Sequence, residues 1–439
     1  MNTKLLIPLL VFPFCLVHPA FSQGALTPPG APAPTMKSLD QIEPRTPISF
    51  APFTISQPGS YYMTTNVTVG SGDAITITAN NVTLDLNGFT ISSTNPIAST
   101  DSGILLSGSR TNIAIRNGHI SSGVTNNGAG VYSGSGFGFG IIFSGFPLNV
   151  RVSGLSVNGC QYDGIYLGYG SAVVESCVVS AVGAYGIQAQ SVSDSTAIDC
   201  GTTAISATTA NNCIGSVSGG GSGVYATTAN NCYGNSTGNG NGLYALGNAQ
   251  NCYGSSSSGT GLYAYTALNC NGSSSSGTAL SATTAQNCYG YCNGNGFGYG
   301  VYANGTAQNC WGSSTSASGV SATTAQNCYG YSSLDGVAAN NAESCWGSST
   351  GNGIGVYAEF TAHNCYGRSS SSTGISAPTA QNCYGQSTGN GTGVSADIAV
   401  GCIGVSNSGT GLSAYIANVC NGTTSSGTAL SAVHNVNSY

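Results

Sequence analysis

Cysteine recurs at a nearly constant interval, at positions 160, 177, 200, 213, 232, 252, 270, 288, 310, 328, 345, 365, 383, 402 and 420. Fourteen intervals span 260 residues, about 18.6 each. A period near twenty is that of a solenoid, in which each coil buries its apolar face only against its neighbours. From Cys213 to Cys420 the residue two after each ladder cysteine is always glycine, as in Cys232-Tyr233-Gly234 and Cys310-Trp311-Gly312. So regular a column points to a backbone constraint. Each coil also carries an aliphatic-x-Ala triplet, such as Val224-Tyr225-Ala226 or Val320-Ser321-Ala322. Its period of two marks a short strand with the aliphatic residue and the alanine inward. A second inward pair, Ala229 and Cys232, is separated by three, so the chain must bend at Asn231. Asparagine tolerates left-handed backbone and can stack its amide on the next coil, which makes Asn212, Asn231, Asn251, Asn269 and Asn287 an expected amide ladder.

The density of glycine and the absence of a 3.6-residue period exclude helix. The expected fold is therefore all-β: a right-handed parallel β-helix solenoid with coils of about 17 to 22 residues and a short N-terminal cap. The hand is argued from irregular coil length and from the lack of an aliphatic residue at every sixth position, the pattern of left-handed β-helices. With neighbouring coils about 4.8 Å apart, the cysteine coils should extend roughly 65 to 70 Å.

Residues 1–22 read as a secretory signal: Lys4, an apolar run from Leu5 to Val17, then Ala20 and Ser22 before a cut at Gln23. Pro8 and Pro13 interrupt the run, and no other stretch is long and apolar enough to span a bilayer. A secreted or cell-surface location without a transmembrane segment follows as the expectation. Residues 23–50 form a Pro-rich leader, with Met36 to Ile42 as a short helix capping the open end of the stack. Residues 51–150 should form N-terminal coils and 151–439 the cysteine coils. The coil pattern runs to Ala432 and leaves a short tail, so end-to-end contact with another copy is one way to cover that end; the oligomeric state is not legible.

Only 5% of residues are charged, against about 25% in ordinary domains. With 40% hydrophobic residues and a net charge of −6, the chain is nonetheless able to build a core. Acidic residues outnumber basic ones 13 to 7, so there is no basic stripe for nucleic acid.

Two segments carry a resemblance: Asn81-Val82-Thr83-Leu84-Asp85-Leu86-Asn87-Gly88-Phe89-Thr90-Ile91 and Asn112-Ile113-Ala114-Ile115-Arg116-Asn117-Gly118-His119-Ile120. Both resemble the opening coils of right-handed parallel β-helix repeat proteins of the pectin-lyase-like superfamily. The resemblance implies a secreted or surface protein, often one that handles polysaccharide, and implies no activity by itself.

Glycosidic hydrolysis needs two carboxyl groups at a set separation. Between residues 201 and 439 the charged side chains are Asp335, Glu343, Glu359, Arg368 and Asp397, each at a different offset from its ladder cysteine. A repeated catalytic or Ca²⁺ column is not expected there. Any catalytic site of a polysaccharide lyase or hydrolase would fall on the N-terminal coils, with Asp85 and Arg116 the weak candidates; both follow an inward residue and should face outward, where a plain ion pair is the simpler expectation. The position after the ladder cysteine supplies a second candidate surface: Tyr233, Tyr253, Tyr289, Trp311, Tyr329, Trp346, Tyr366 and Tyr384. These should face outward, with Tyr225, Tyr244, Tyr263, Tyr302 and Tyr357 in a second column. Their rings either stack on one another or bind sugar rings. A threonine column at Thr228, Thr266, Thr284, Thr306, Thr324, Thr361 and Thr379 raises ice binding as a minor alternative.

The leading expectation is thus a non-enzymatic adhesive, structural or polysaccharide-binding scaffold. Sixteen cysteines remain beyond the signal; their regularity marks them as buried free thiols rather than disulfides. Cys292 lies off the ladder and is the expected exposed thiol. No Cys/His spacing fits a metal, and no cofactor is expected.

Overall fold

A computed structural model describes residues 43 to 439, and Arg45 to Tyr439 form one compact unit. The expected signal peptide, most of the expected leader and the expected helix from Met36 to Ile42 lie outside the described residues. Among the described residues there is no helix. No described helix is long and apolar enough to cross a membrane.

The unit is a parallel β-solenoid with coils of about 19 residues. Strands pair with their counterparts one coil away, joining into a single 41-stranded sheet that winds along the stack. It begins with Thr46–Ile48, which pairs in register with Tyr61, Tyr62 and Met63. Among the described residues the one antiparallel pair, Thr125–Asn126 with Tyr132–Ser133, lies against the later coils, with Tyr132 buried. It is pinned where the Tyr132 hydroxyl donates to the Asp199 carboxylate at 2.8 Å.

A regular coil has a long strand and a short one, as in Val224–Asn230 and Tyr233–Ser236. Val224, Ala226 and Ala229 point inward, and the offset of three between the alanines folds the long strand onto two faces. Asn231 then turns the corner with φ 52°, and Cys232, Gly234 and Ser236 return to the interior. The same left-handed corner recurs at Asn212, Asn251, Asn269, Asn287, Asn309 and Asn327. Each of these side-chain amides donates to the carbonyl of the Asn one coil earlier, from Asn231 to Asn212 at 3.2 Å through Asn327 to Asn309 at 3.2 Å. At the head of the run Asn212 donates to the Asp194 carboxylate. The expected bend and amide ladder are both present.

The glycine column has a steric cause. A Cβ on Gly234 would lie 2.1 Å from the Gly242 carbonyl oxygen, and one on Gly330 1.9 Å from that of Gly336. Two backbones touch across the interior there, so no side chain fits between them. The core accordingly narrows along the chain. Ile48, Ile55, Met63, Ile75, Leu84, Leu86 and Ile104 fill the N-terminal coils, whereas a later coil carries one valine, leucine or isoleucine beside alanine, cysteine and glycine.

The cysteines form two columns rather than one. Cys200 registers with Val182 and Val217, and that column continues as Ser236, Ser256 and Ser274. Cys160 belongs to it as well, its carbonyl accepting from Gly183 as that of Val182 accepts from Gly201. In the main ladder Ser195 stands between Cys177 and Cys213, its hydroxyl accepting from the Cys177 amide. A fixed count from cysteine to cysteine therefore merges two inward positions of one coil. The exposed thiol expected at Cys292 is corrected too. Cys292 is fully buried, registering with Ser274 and Ser314, because the extra residues of its coil follow it and leave its own strand in register. All sixteen described cysteines are free and buried.

Candidate functional site

The short strands lay one outward residue per coil into a column, and aromatic side chains occupy most of it. From Tyr289 six rings run without a break through Trp311, Tyr329, Trp346, Tyr366 and Tyr384. Adjacent centroids are 4.3, 6.0, 4.1, 5.8 and 5.0 Å apart, with planes within 8° of parallel. Coplanar side-by-side rings cannot come so close, so these rings meet face to face in an offset stack. Their faces are occupied by one another and their edges meet solvent. Tyr225, Tyr244 and Tyr263 stack in the same manner in the second column, whereas Tyr302 and Tyr357 are separated from them by Ser281, Ser321 and Ala338. The threonine column is interrupted by Asn248 and Asn341, so it is not the unbroken hydroxyl array an ice-binding face requires.

The aromatic column has one internal gap. Tyr233 and Tyr253 stack at 5.2 Å, and the next coil places Asn271 where a ring would stand, followed by Tyr289. Toward the corner ladder, a groove of about 510 Å³ runs past Tyr233, Tyr253 and Asn271 on one side and Asn231, Asn251 and Asn269 on the other. Each ladder amide spends one N–H and one carbonyl lone pair on its neighbours, which leaves one donor and one acceptor facing out. Across the gap a smaller recess of about 210 Å³ is bounded by Tyr253, Asn271, Ser273, Tyr289 and Tyr291. From Gly201 to Leu334 the sequence has no charged side chain, so amides, hydroxyls and rings alone make this surface.

Asp85 and Arg116 come together as register partners at the N-terminal end. Arg116 Nε donates to Asp85 Oδ2 at 3.2 Å, Arg45 lies 3.6 Å from the same oxygen, and the Asn87 amide donates to Oδ1. Both carboxylate oxygens are thus engaged in holding the coil corner. The arrangement reads as a structural ion pair: the Asp85 carboxylate, expected to face outward, is buried beneath the two guanidinium groups, and only Arg116 stays half-exposed.

Asp163 is, with Asp85, one of two buried carboxyls of these coils, and it accepts from the Tyr185 amide at 2.9 Å. Burial pushes its carboxyl above the ordinary aspartate value.

One juxtaposition is hidden in the sequence. Strand Val356–His363 has eight residues where Ile375–Gln381 and Val394–Val400 have seven. The strand bulges between Tyr357 and Thr361, and Glu359, Pro378 and Asp397 line one groove of about 270 Å³, so both carboxylates border it. Their unequal offsets from the ladder cysteine conceal this, and the insertion in Ala358-Glu359-Phe360-Thr361 is the signal that would have revealed it. Among the described residues no group of His, Cys, Asp and Glu is placed to hold a metal.

No family model matches the chain, and no curated protein matches it. Among solved structures it is similar to the Azotobacter vinelandii mannuronan C-5 epimerase AlgE6 A-module, with 11% identity over 87% of this chain and 90% of that one. The TM-score is 0.22, a likeness too slight to carry any inference about chemistry.

Proposed function

We propose that this chain is an exported, non-enzymatic scaffold that binds neutral polysaccharide outside the cell. The observation that carries the reading is the uncharged groove of about 510 Å³ between the amide ladder and the aromatic column. Sugar rings present hydroxyls at their rim and C–H groups on their faces; free amide donors and acceptors answer the first and tyrosine rings the second. A solenoid repeats these groups at about 4.8 Å, so a long polymer meets the same contact coil after coil. The test is retention on a panel of insoluble neutral and uronate polysaccharides. The wild type should be held by at least one neutral polymer, and Tyr233→Ala with Tyr253→Ala should lower that retention at least fivefold with a thermal midpoint close to the wild type. If no polymer in the panel holds the wild type, the reading fails.

A hydrolytic reading has its support at Glu359 and Asp397 rather than at Asp85 and Arg116. The two residues stand two coil steps apart, about 9.6 Å between backbones along the stack, so their side chains must lean together to bring the carboxyl groups within the roughly 6.5 to 9.5 Å that inverting glycosidases use. Release of reducing ends from a neutral glycan, lost in Asp397→Asn, would favour it over the scaffold reading.

A further inference from the structure

The aromatic column and its gap make a more specific site. In the run from Tyr289 to Tyr384 every coil supplies a ring and every interior face is covered by the next ring. A ligand that stacks needs an uncovered face. At the gap, Tyr253 has a ring neighbour only in the coil before it and Tyr289 only in the coil after it, so each turns a free face toward Asn271. The two tyrosines stand two coils apart, about 9.6 Å at the usual strand spacing. That width holds one ring at about 4.8 Å from each face. A planar aromatic ring meets this spacing in the column as an offset stack, with centroids 4.1 to 6.0 Å apart. A saturated six-membered ring, with hydrogens projecting from both faces, is thicker and fills the space.

The floor of the gap selects further. Asn271 is exposed, and its side-chain amide makes no hydrogen bond among the described residues, so two donors and an acceptor point into the recess. Tyr291 closes one side, and the larger groove along Asn251 and Asn269 opens on the other. The nearest charges in sequence are Asp199 and Asp335, on other coils, so nothing at the gap compensates a uronate or an amine. We infer that the gap at Asn271 is a monosaccharide slot in which a neutral pyranose ring of a glycan is clasped between Tyr253 and Tyr289, its hydroxyls hydrogen-bonded by Asn271. The inference rests on the neutral-polysaccharide reading above and narrows it to one position.

Asn271→Tyr separates the two. The new ring registers between Tyr253 and Tyr289, completes the stack and fills the slot, with no demand on the core. The measurement is isothermal titration of the full chain with glucose, mannose, galactose and xylose hexamers, and with a galacturonate hexamer as the charged counterpart. Under the slot, the wild type binds at least one neutral hexamer and Asn271→Tyr binds it at least tenfold more weakly, while Asn271→Ala, which keeps the opening and loses the amide, falls between. If Asn271→Tyr binds a neutral hexamer as well as the wild type or better, the slot is wrong and the extended ring wall is the platform. If the wild type binds the uronate in preference, the slot is also wrong. If it binds no hexamer, and no insoluble neutral polymer retains it, both readings fall together.

Discussion

Val419 occupies the corner that precedes ladder residue Cys420, with φ 53°, and it is the one β-branched residue at positive φ among the described residues. Asparagine holds most of the equivalent corners, because its short amide tolerates left-handed backbone and bonds locally, whereas a branched Cβ crowds the following carbonyl. The valine is also 61% exposed, so it returns little burial energy for that strain. Replacing it should relieve about 1 kcal/mol. Val419→Asn is expected to raise the thermal midpoint by a few degrees, and Val419→Ala by less, since alanine keeps the Cβ clash and gains no amide. Calorimetry of the three proteins decides it; an unchanged midpoint in Val419→Asn would mean that the corner carries no strain. Ser344 is the comparable break farther up the ladder, at φ 53° between Asn327 and Asn364. Its side chain interrupts the amide relay and, unbranched at Cβ, crowds the corner less than a valine does.

At the scale of the strand, the two glycine columns look alike in sequence and differ in strictness. The glycine after each ladder cysteine faces a carbonyl oxygen about 2 Å from where its Cβ would be, and it never varies from Gly215 to Gly422. The second column, at the head of the long strand, includes Gly319 and Gly336 but becomes Ala204, Ala279 and Ala429 in three coils, the first two fully buried. The structure thus already accommodates a methyl in the second column. Gly330→Ala should cost about 3 kcal/mol, at the upper end for overpacking a close-packed core, while Gly319→Ala should cost less than half as much. Equal destabilisation in urea melts would show that the pinch between backbones is not what keeps the first column glycine. The strands also explain what the sequence left legible. Inward alternation, the Asn231-type corner and the outward tyrosines could be read directly, because each repeats with the coil. The Asp85–Arg116 pair could be placed on one face because one register step joins them. The Asn271 gap and the Glu359–Asp397 groove could not, since one is an exception to a column and the other depends on a bulge, and periodicity reports neither. The split of the cysteines into two columns escaped for a related reason: Cys160 and Cys200 sit close to the right spacing but at the wrong inward position.

Taken as a whole, the solenoid has no centre, so its stability is a sum of coil terms and neighbour contacts, and its ends open before its middle. The thiols give this a measurable form. From Cys232 to Cys402 each ladder thiol donates to the carbonyl of an alanine in the preceding coil, as Cys310 does to Ala285 at 3.4 Å and Cys328 to Ala307 at 3.3 Å. Burial drives Cys160 up to about 12 and Cys177 up to about 11, so these thiols stay protonated in the folded chain at any ordinary pH. The unfolded chain, by contrast, releases its thiol protons from about pH 8.5 upward. A group whose folded value is raised stabilises the fold fully below its unfolded value and loses that contribution as pH climbs toward the folded one. The urea midpoint should therefore be nearly constant between pH 6 and 8 and decline from about pH 8.5 toward 11. Labelling at pH 8 should find almost none of the sixteen described thiols reactive in the native protein and all sixteen of them reactive after denaturation. Under conditions that allow only partial opening, Cys420 in the last cysteine coil should label first, and Cys310 and Cys328, with many coils on either side, last. Peptide mapping of the labelled chain reads this order directly. Uniform labelling along the ladder would mean that the stack opens in one cooperative step, and a chain with its cysteines oxidised would contradict the free buried ladder altogether.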